Sequence, residues 1–204
     1  MAAKKIDLYV THRAEYAAKR QPAIVNVGAA RYLAIEGRGA PEGATFQAAI
    51  DVLYAVAFTV KMARKLADTD YKVAALEGLW WTGGAGHHFL HTPRKSWRWE
   101  LLIRTPEFVT KREVARAIAA LLERGKPKLV ASVKLVAARE GRCVQALHVG
   151  PYASEPETIA HMLQVATAAG YKAHGTHHEI YLSDSRRAKP EKLKTILRLP
   201  LRKR

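Results

Sequence analysis

Cysteine is almost missing from this chain: Cys143 is the only one in 204 residues, which excludes an internal disulfide framework and a zinc ribbon. No run reaches transmembrane length on this reading, and Met1-Ala2-Ala3-Lys4-Lys5 has no apolar signal-peptide core after it. Cytoplasmic residence without a membrane partner is therefore expected. Acidic residues are also scarce, with 18 Asp and Glu against 34 Lys and Arg and a net charge of +16. A surface this basic attracts phosphate backbones. Yet no helix-turn-helix, zinc-finger or RNA-binding signature accompanies the charge, which is spread along the chain apart from one dense block, Arg186 to Arg204. General solubility or weak non-specific contact is the expected consequence, and no specific nucleic-acid partner is expected. A nucleic-acid role for the 186–204 block is the lesser alternative.

What is present is a globular composition, 49% hydrophobic, in a chain long enough for one domain with a proper core. Residues 1–22 read as a polar, basic N-terminal arm or short helix closed by Pro22, and 23–204 as a single domain. Strand-like stretches at 24–27 and 32–37 are punctuated by Gly28. Phe46, Ala49, Ile50, Leu53, Ala57 and Val60 then form one helical stripe between Thr45 and about Leu66, with Tyr54 at its edge. Strands follow at 75–81 and 97–104, joined by a Gly- and His-rich loop. Thr110 with Glu113 makes a capping box with a Val109–Val114 staple, and Ser154 with Glu157 makes a second box before a helix ending near Ala169. Strands at 129–137 and 142–149, joined at Glu140-Gly141, separate these helices, and a last strand runs from Lys194 to Leu201.

The informative stretch is His177-His178-Glu179-Ile180-Tyr181-Leu182-Ser183-Asp184. As a strand it places His178, Ile180 and Leu182 on one face and His177, Glu179, Tyr181 and Ser183 on the other. A carboxylate beside an aromatic on an otherwise apolar strand is costly if buried alone. Such a glutamate is either washed by solvent or waits for a ligand.

The chain also repeats itself in order of elements, at about 23–108 and 128–204. Glu77-Gly78-Leu79-Trp80-Trp81 falls where Glu179-Ile180-Tyr181-Leu182-Ser183 falls, and Leu102-Ile103-Arg104-Thr105-Pro106 where Ile196-Leu197-Arg198-Leu199-Pro200 falls. The expectation is an α+β fold of duplicated βαββ units with pseudo-two-fold symmetry: an antiparallel-rich sheet, helices on one face and a ligand cleft on the other. On that arrangement Glu77 and Trp81 share a face, as Glu179 and Tyr181 do. Trp97 and Trp99 could belong to the cleft wall or to the core.

Gly150-Pro151-Tyr152, Gly175 to Asp184, and the tail Pro190 to Arg198 resemble the GyrI-like small-molecule-binding family. So do Tyr32-Leu33, Gly37, Gly39, Phe46, Ala49, Leu53-Tyr54, Lys61 and Leu76-Glu77-Gly78-Leu79-Trp80-Trp81. The resemblance covers nearly everything after about residue 20. It implies a cleft in which Glu179 meets planar aromatic or cationic xenobiotics, and no cofactor. The subgroup with the LEGLWW segment resembles stand-alone members, some of which are cyclopropanoid hydrolases that open the cyclopropyl ring of DNA-alkylating compounds inside an aromatic cage and so protect the cell. The matching positions are Tyr54, Trp81, Trp97 or Trp99, Glu179 and Tyr181 for ligand binding, with Glu179 and Tyr181 in the catalytic role; Glu77 joins the ligand-binding candidates through the repeat. A non-catalytic, ligand-sequestering protein is the alternative, as monomer or homodimer.

His87, His88, His91, His177 and His178 have no acidic or thiol residue at metal-ligand spacing nearby in sequence, so no metal is expected. Cys143 reads as a buried small hydrophobe.

Overall fold

The computed structural model describes residues 5–83 and 92–204; His87, His88 and His91 lie outside them. Both long strands run straight through the breaks that their glycines suggest. The first, β1, is continuous over Ala23–Arg38, because the Gly28 N–H donates to Glu15 Oε1 at 3.2 Å and so is not left unsatisfied. The equivalent strand of the second half, β4 (Lys134–Val149), passes Glu140-Gly141 without turning back, using a positive φ of 70° at Gly141. Residues 128–132 form a 3-10 turn ahead of it, not a strand. Between them lie α3 (Ala44–Leu66), β2 (Leu76–Trp81), β3 (Arg98–Thr105) and α4 (Lys111–Glu123). After β4 come α5 (Glu155–Ala168), a short β5 (Tyr171–Ala173), β6 (His177–Tyr181) and β7 (Lys194–Lys203). Two one-turn helices, α1 (Leu8–Thr11) and α2 (Arg13–Tyr16), precede β1.

Each half therefore reads β-α-β-β, with β5 added in the second. All strand pairs are antiparallel, in the order β4-β1-β3-β2-β6-β7, and a further β4–β7 pairing closes the ring into a barrel. Closure fills one face of the sheet with side chains and leaves α3 and α5 on the other. α3 lays Phe46, Ala49, Leu53, Ala57 and Val60 against Leu33, Ile35, Trp99, Leu101 and Ile103. Its 23 residues are long and apolar enough to cross a membrane, which corrects the expectation that no run reaches that length; here its buried stripe covers the barrel. α5 packs Ile159, Met162 and Ala166 on Val144, Ala146, Leu197 and Leu199. The Thr110–Glu113 capping box forms in both directions. The Ser154–Glu157 box does not: Ser154 Oγ donates to Pro151 O at 2.8 Å and lies 3.3 Å from His148 Nε2, so α5 begins without a side-chain cap.

The barrel interior is polar at its centre. His178 places Nε2 2.9 Å from Glu77 Oε2 and Nδ1 3.0 Å from Glu140 Oε1. With a carboxylate oxygen facing each ring nitrogen, both must donate and the ring is an imidazolium. Arg198 donates to Glu140 Oε2 at 2.6 Å, to Gln145 Oε1 at 3.1 Å and to the Glu15 carbonyl at 2.6 Å. Arg104 donates to Glu15 Oε2 at 2.5 Å and to the Tyr16 hydroxyl, which in turn donates to Glu77 Oε1 at 3.0 Å. Glu15, Glu77 and Glu140 thus balance Arg104, His178 and Arg198. Because Glu15 and Tyr16 belong to α2, the segment before β1 closes this network. A buried ion network loses heavily when one member is removed, since its partner remains charged and unpaired.

The pH dependence follows from two members. The paired carboxylates lift His178 to about 9, overcoming burial, so its contribution is complete below its ordinary 6.5 and is lost as pH rises through 9. Against the upward effect of its own burial, His178 and Arg198 hold Glu140 down at about 2, so its contribution is complete above 4.5 and is lost as pH falls towards 2. Urea unfolding should therefore show a stability plateau between those limits, falling on both sides, and His178→Ala should cost about 3–5 kcal/mol at pH 7.

Candidate functional site

With His178 and Ile180 directed into the barrel, the alternation of β6 sends His177, Glu179 and Tyr181 outward, towards the helices. There, between α3 and the start of α5, a cavity of about 1000 Å³ opens. Its walls are Phe46, Ile50 and Tyr54 from α3, Trp80 from β2, Trp97 ahead of β3, and Tyr152 ahead of α5; Glu155, Glu179 and Tyr181 line it as well. The cavity lies on the helix side of the sheet, not on the helix-free face where a cleft was expected; that other face turns into the barrel and carries the His178 network.

The aromatic wall is mutually braced. Phe46 stacks on Trp80 with ring centres 5.5 Å apart, Trp80 meets Trp97 edge-on at 5.7 Å, and Tyr152 meets Tyr181 edge-on at 6.2 Å. Trp80 Nε1 donates to the Tyr181 hydroxyl at 3.0 Å, and Tyr181 has Glu179 as its own hydrogen-bond acceptor. Burial first, then the Glu179 charge, pushes the Tyr181 phenol far above its ordinary value, so it stays protonated and acts as a donor. This chain of contacts lies over Gly78, where a Cβ would come within 2.9 Å of both Trp80 Nε1 and the Tyr181 oxygen. Glycine is needed there for space, not for its backbone freedom.

Of the residues singled out in the sequence, Tyr54, Trp97, Glu179 and Tyr181 come together in this cavity. Glu77, Trp81 and Trp99 do not. Glu77 pairs across the strands with Ile180, and Glu179 with Gly78, so the two glutamates face opposite sides of the sheet. Aligning the repeats one residue out of register produced the error, since a one-residue shift exchanges faces. Glu77 is fully buried inside the barrel. Trp81 alternates away from the cavity, and Trp80 takes the place expected of it. Trp99 is core: it meets Phe46 edge-on at 5.1 Å and lies over Gly37, where a Cβ would come within 2.1 Å of its ring. Arg198, in the basic C-terminal block, is buried in the barrel network and contributes nothing to a nucleic-acid surface.

Glu155 was not foreseen. It opens α5 at 3% exposure, between the Ser154 and Glu157 that the sequence pairs as a capping box. Glu155, His177 and Glu179 each bring one donor atom within 4.8 Å of the others, and all three are buried. The expectation that no acidic residue stands at ligand spacing near His177 fails: Glu179, two residues on, shares its strand face, and Glu155 joins them from α5, a distant element. Two carboxylates and an imidazole at this distance can surround one small positive charge. His177 Nε2 lies 3.2 Å from Glu179 Oε1. Burial and then the charge of Glu179 raise the Glu155 carboxyl well above the usual carboxylate range.

A family model described as a GyrI-like small molecule binding domain matches residues 20–202. No curated protein matches significantly. An uncharacterized conserved protein from Listeria innocua is 40% identical with a TM-score of 0.89, over 97% of this chain and 100% of that one. A second Listeria innocua protein, named a hydrolase, is 38% identical with a TM-score of 0.88, over 98% and 100%. The C-terminal domain of EcmrR, at 12% identity and a TM-score of 0.58 over 90% and 98%, shares the fold alone.

Gly78→Ala should force the Trp80–Tyr181 pair apart. A loss of about 1–3 kcal/mol in chemical denaturation is expected, together with a changed near-ultraviolet circular dichroism band while the far-ultraviolet spectrum is kept.

Proposed function

This chain belongs to the GyrI-like family, and on that premise we propose that its cavity binds planar aromatic compounds, neutral or singly cationic, and hydrolyses cyclopropane-bearing DNA-alkylating members of that class. The observation that carries this reading is the Glu179–Tyr181 pair on the floor of an aromatic-walled cavity. Aromatic walls supply stacking and cation–π attraction to a flat ligand, and a volume of about 1000 Å³ admits a drug-sized one. The hydrolase name of the Listeria relative supports the catalytic part.

A cyclopropane conjugated to a dienone is already electrophilic, so the protein need only position it, polarise the carbonyl and orient a water. Glu179 takes a proton from that water as its oxygen bonds to the ring carbon. The strained C–C bond breaks, its electron pair restores an aromatic ring, and the former carbonyl oxygen becomes a phenolate that is protonated from solvent. Tyr54, whose phenol is also raised by burial and stays protonated, lies on the opposite wall as a donor to the ring system. Cellular protection would follow from destroying an alkylator, and cytoplasmic residence fits that role.

Incubating purified protein with such an alkylator and following it by mass spectrometry should give a water-added product over many turnovers. Glu179→Gln should lower turnover by at least about 100-fold, while quenching of tryptophan fluorescence shows that binding persists. Product formed by Glu179→Gln at the wild-type rate removes Glu179 from the mechanism. Quenching without product in the wild type leaves a sequestering binder. Trp97→Ala should weaken binding by about 1–3 kcal/mol in the same quenching titration.

A further inference from the structure

We propose that Glu155 and Glu179 work as one carboxylate pair holding a single positive charge at the cavity floor. That charge is a proton on Glu155 when the ligand is neutral, and the ligand's own cationic group, with Glu155 ionised, when it is not. The inference rests on the binding reading above and assigns to Glu155 the choice between the two ligand classes.

The charges around the cavity argue for it. Arg94 is paired with Glu42 at 3.2 Å, and Arg186 with Asp184 at 3.0 Å. Among the described residues no Lys or Arg makes an ion pair with Glu155 or Glu179. Two carboxylates buried within 4.8 Å of each other cannot both stay ionised without a compensating charge. Glu179 already has Tyr181 as donor and His177 Nε2 at 3.2 Å. Glu155 Oε1 has no hydrogen-bond partner among the described residues and is buried against the cavity. Glu155 is thus the member that carries the proton. Its place in the first turn of α5 keeps the ionised form accessible, since the helix dipole favours a negative charge there.

The groups facing the pair are His177 and Tyr181 on β6, Tyr152 ahead of α5, and His148 on β4 behind the α5 start. Burial raises Tyr152 and Tyr181, so both remain neutral; Glu42 and Asp184 are held low by their arginines and by backbone donors, so both remain charged. His148 and His177 are the competing proton sources that a test must separate.

Isothermal titration calorimetry with ethidium, a planar monocation, and acridone, a neutral planar ring system, in buffers of different protonation enthalpy makes that separation. Over the pH range in which Glu155 is protonated, ethidium should release a proton on binding, approaching one per molecule, and its affinity should rise by up to about tenfold per pH unit; acridone should release none at any pH. Glu155→Gln should abolish the release and the pH dependence while still binding acridone. No proton release with ethidium in the wild-type protein, where folding of a variant is not at issue, would overturn the proposal. So would release that persists in Glu155→Gln, which would assign the proton to a histidine, or a divalent ion bound one to one by the wild type and lost in Glu155→Gln without any ethidium linkage. Failure of both dyes to bind would overturn the binding reading and this proposal together.

Discussion

The structure depends on His178 being held between Glu77 and Glu140 inside the barrel. An imidazolium with a carboxylate on each nitrogen tolerates no change of register in β6, because a shift by one residue would bury Glu179 in its place and push a charged ring into the helix layer. Everything about the cavity follows from that fixed parity. If His178 points in, then His177, Glu179 and Tyr181 point out, and α3 and α5 provide the walls around them. The segment before β1 takes part through Glu15 and Tyr16, which complete the network from outside the repeats.

The two polar clusters, one on each side of β6, differ in a way that bears on function. Inside the barrel, three acids meet three cations and nearly every polar atom has a partner. That is a structural solution, stable and inert. Outside, Glu155 and Glu179 sit in a buried place with their charge uncompensated by any arginine or lysine among the described residues, in a protein whose net charge is +16. The proposed preference for flat and positively charged partners draws on the same place, since aromatic ring faces such as those of its wall are negative.

Much of this was legible in the sequence. The period-2 pattern of 177–183 placed Glu179 and Tyr181 on a common face, the stripe from Phe46 to Val60 gave the α3 interface, and Thr110 with Glu113 marked the start of α4. The order of elements showed the duplication. What stayed hidden is what depends on partners distant in sequence. Ring closure needs the β4–β7 pairing, and nothing local in either strand announces it. The face of Glu77 turned on a one-residue alignment between weakly similar repeats. Trp80 and Trp81 are adjacent and chemically alike, so only the cross-strand register decides which reaches the cavity. Ser154 with Glu157 reads as helix capping and draws attention from Glu155, whose approach to Glu179 exists only once the start of α5 lies beside β6. A buried acid immediately before a proline at the opening of a helix was the one available signal.

The account stands on the claim that the space between α3 and α5, not the barrel interior or the basic surface, is where a ligand goes. A crystal structure of the protein soaked with a planar aromatic monocation tests it directly. The account predicts the ring system against Trp80 and Trp97 with its charge towards Glu155 and Glu179, and an unchanged His178 network behind it. A ligand seated elsewhere, or a cavity that stays empty at saturating concentration while the compound binds in solution, would contradict it.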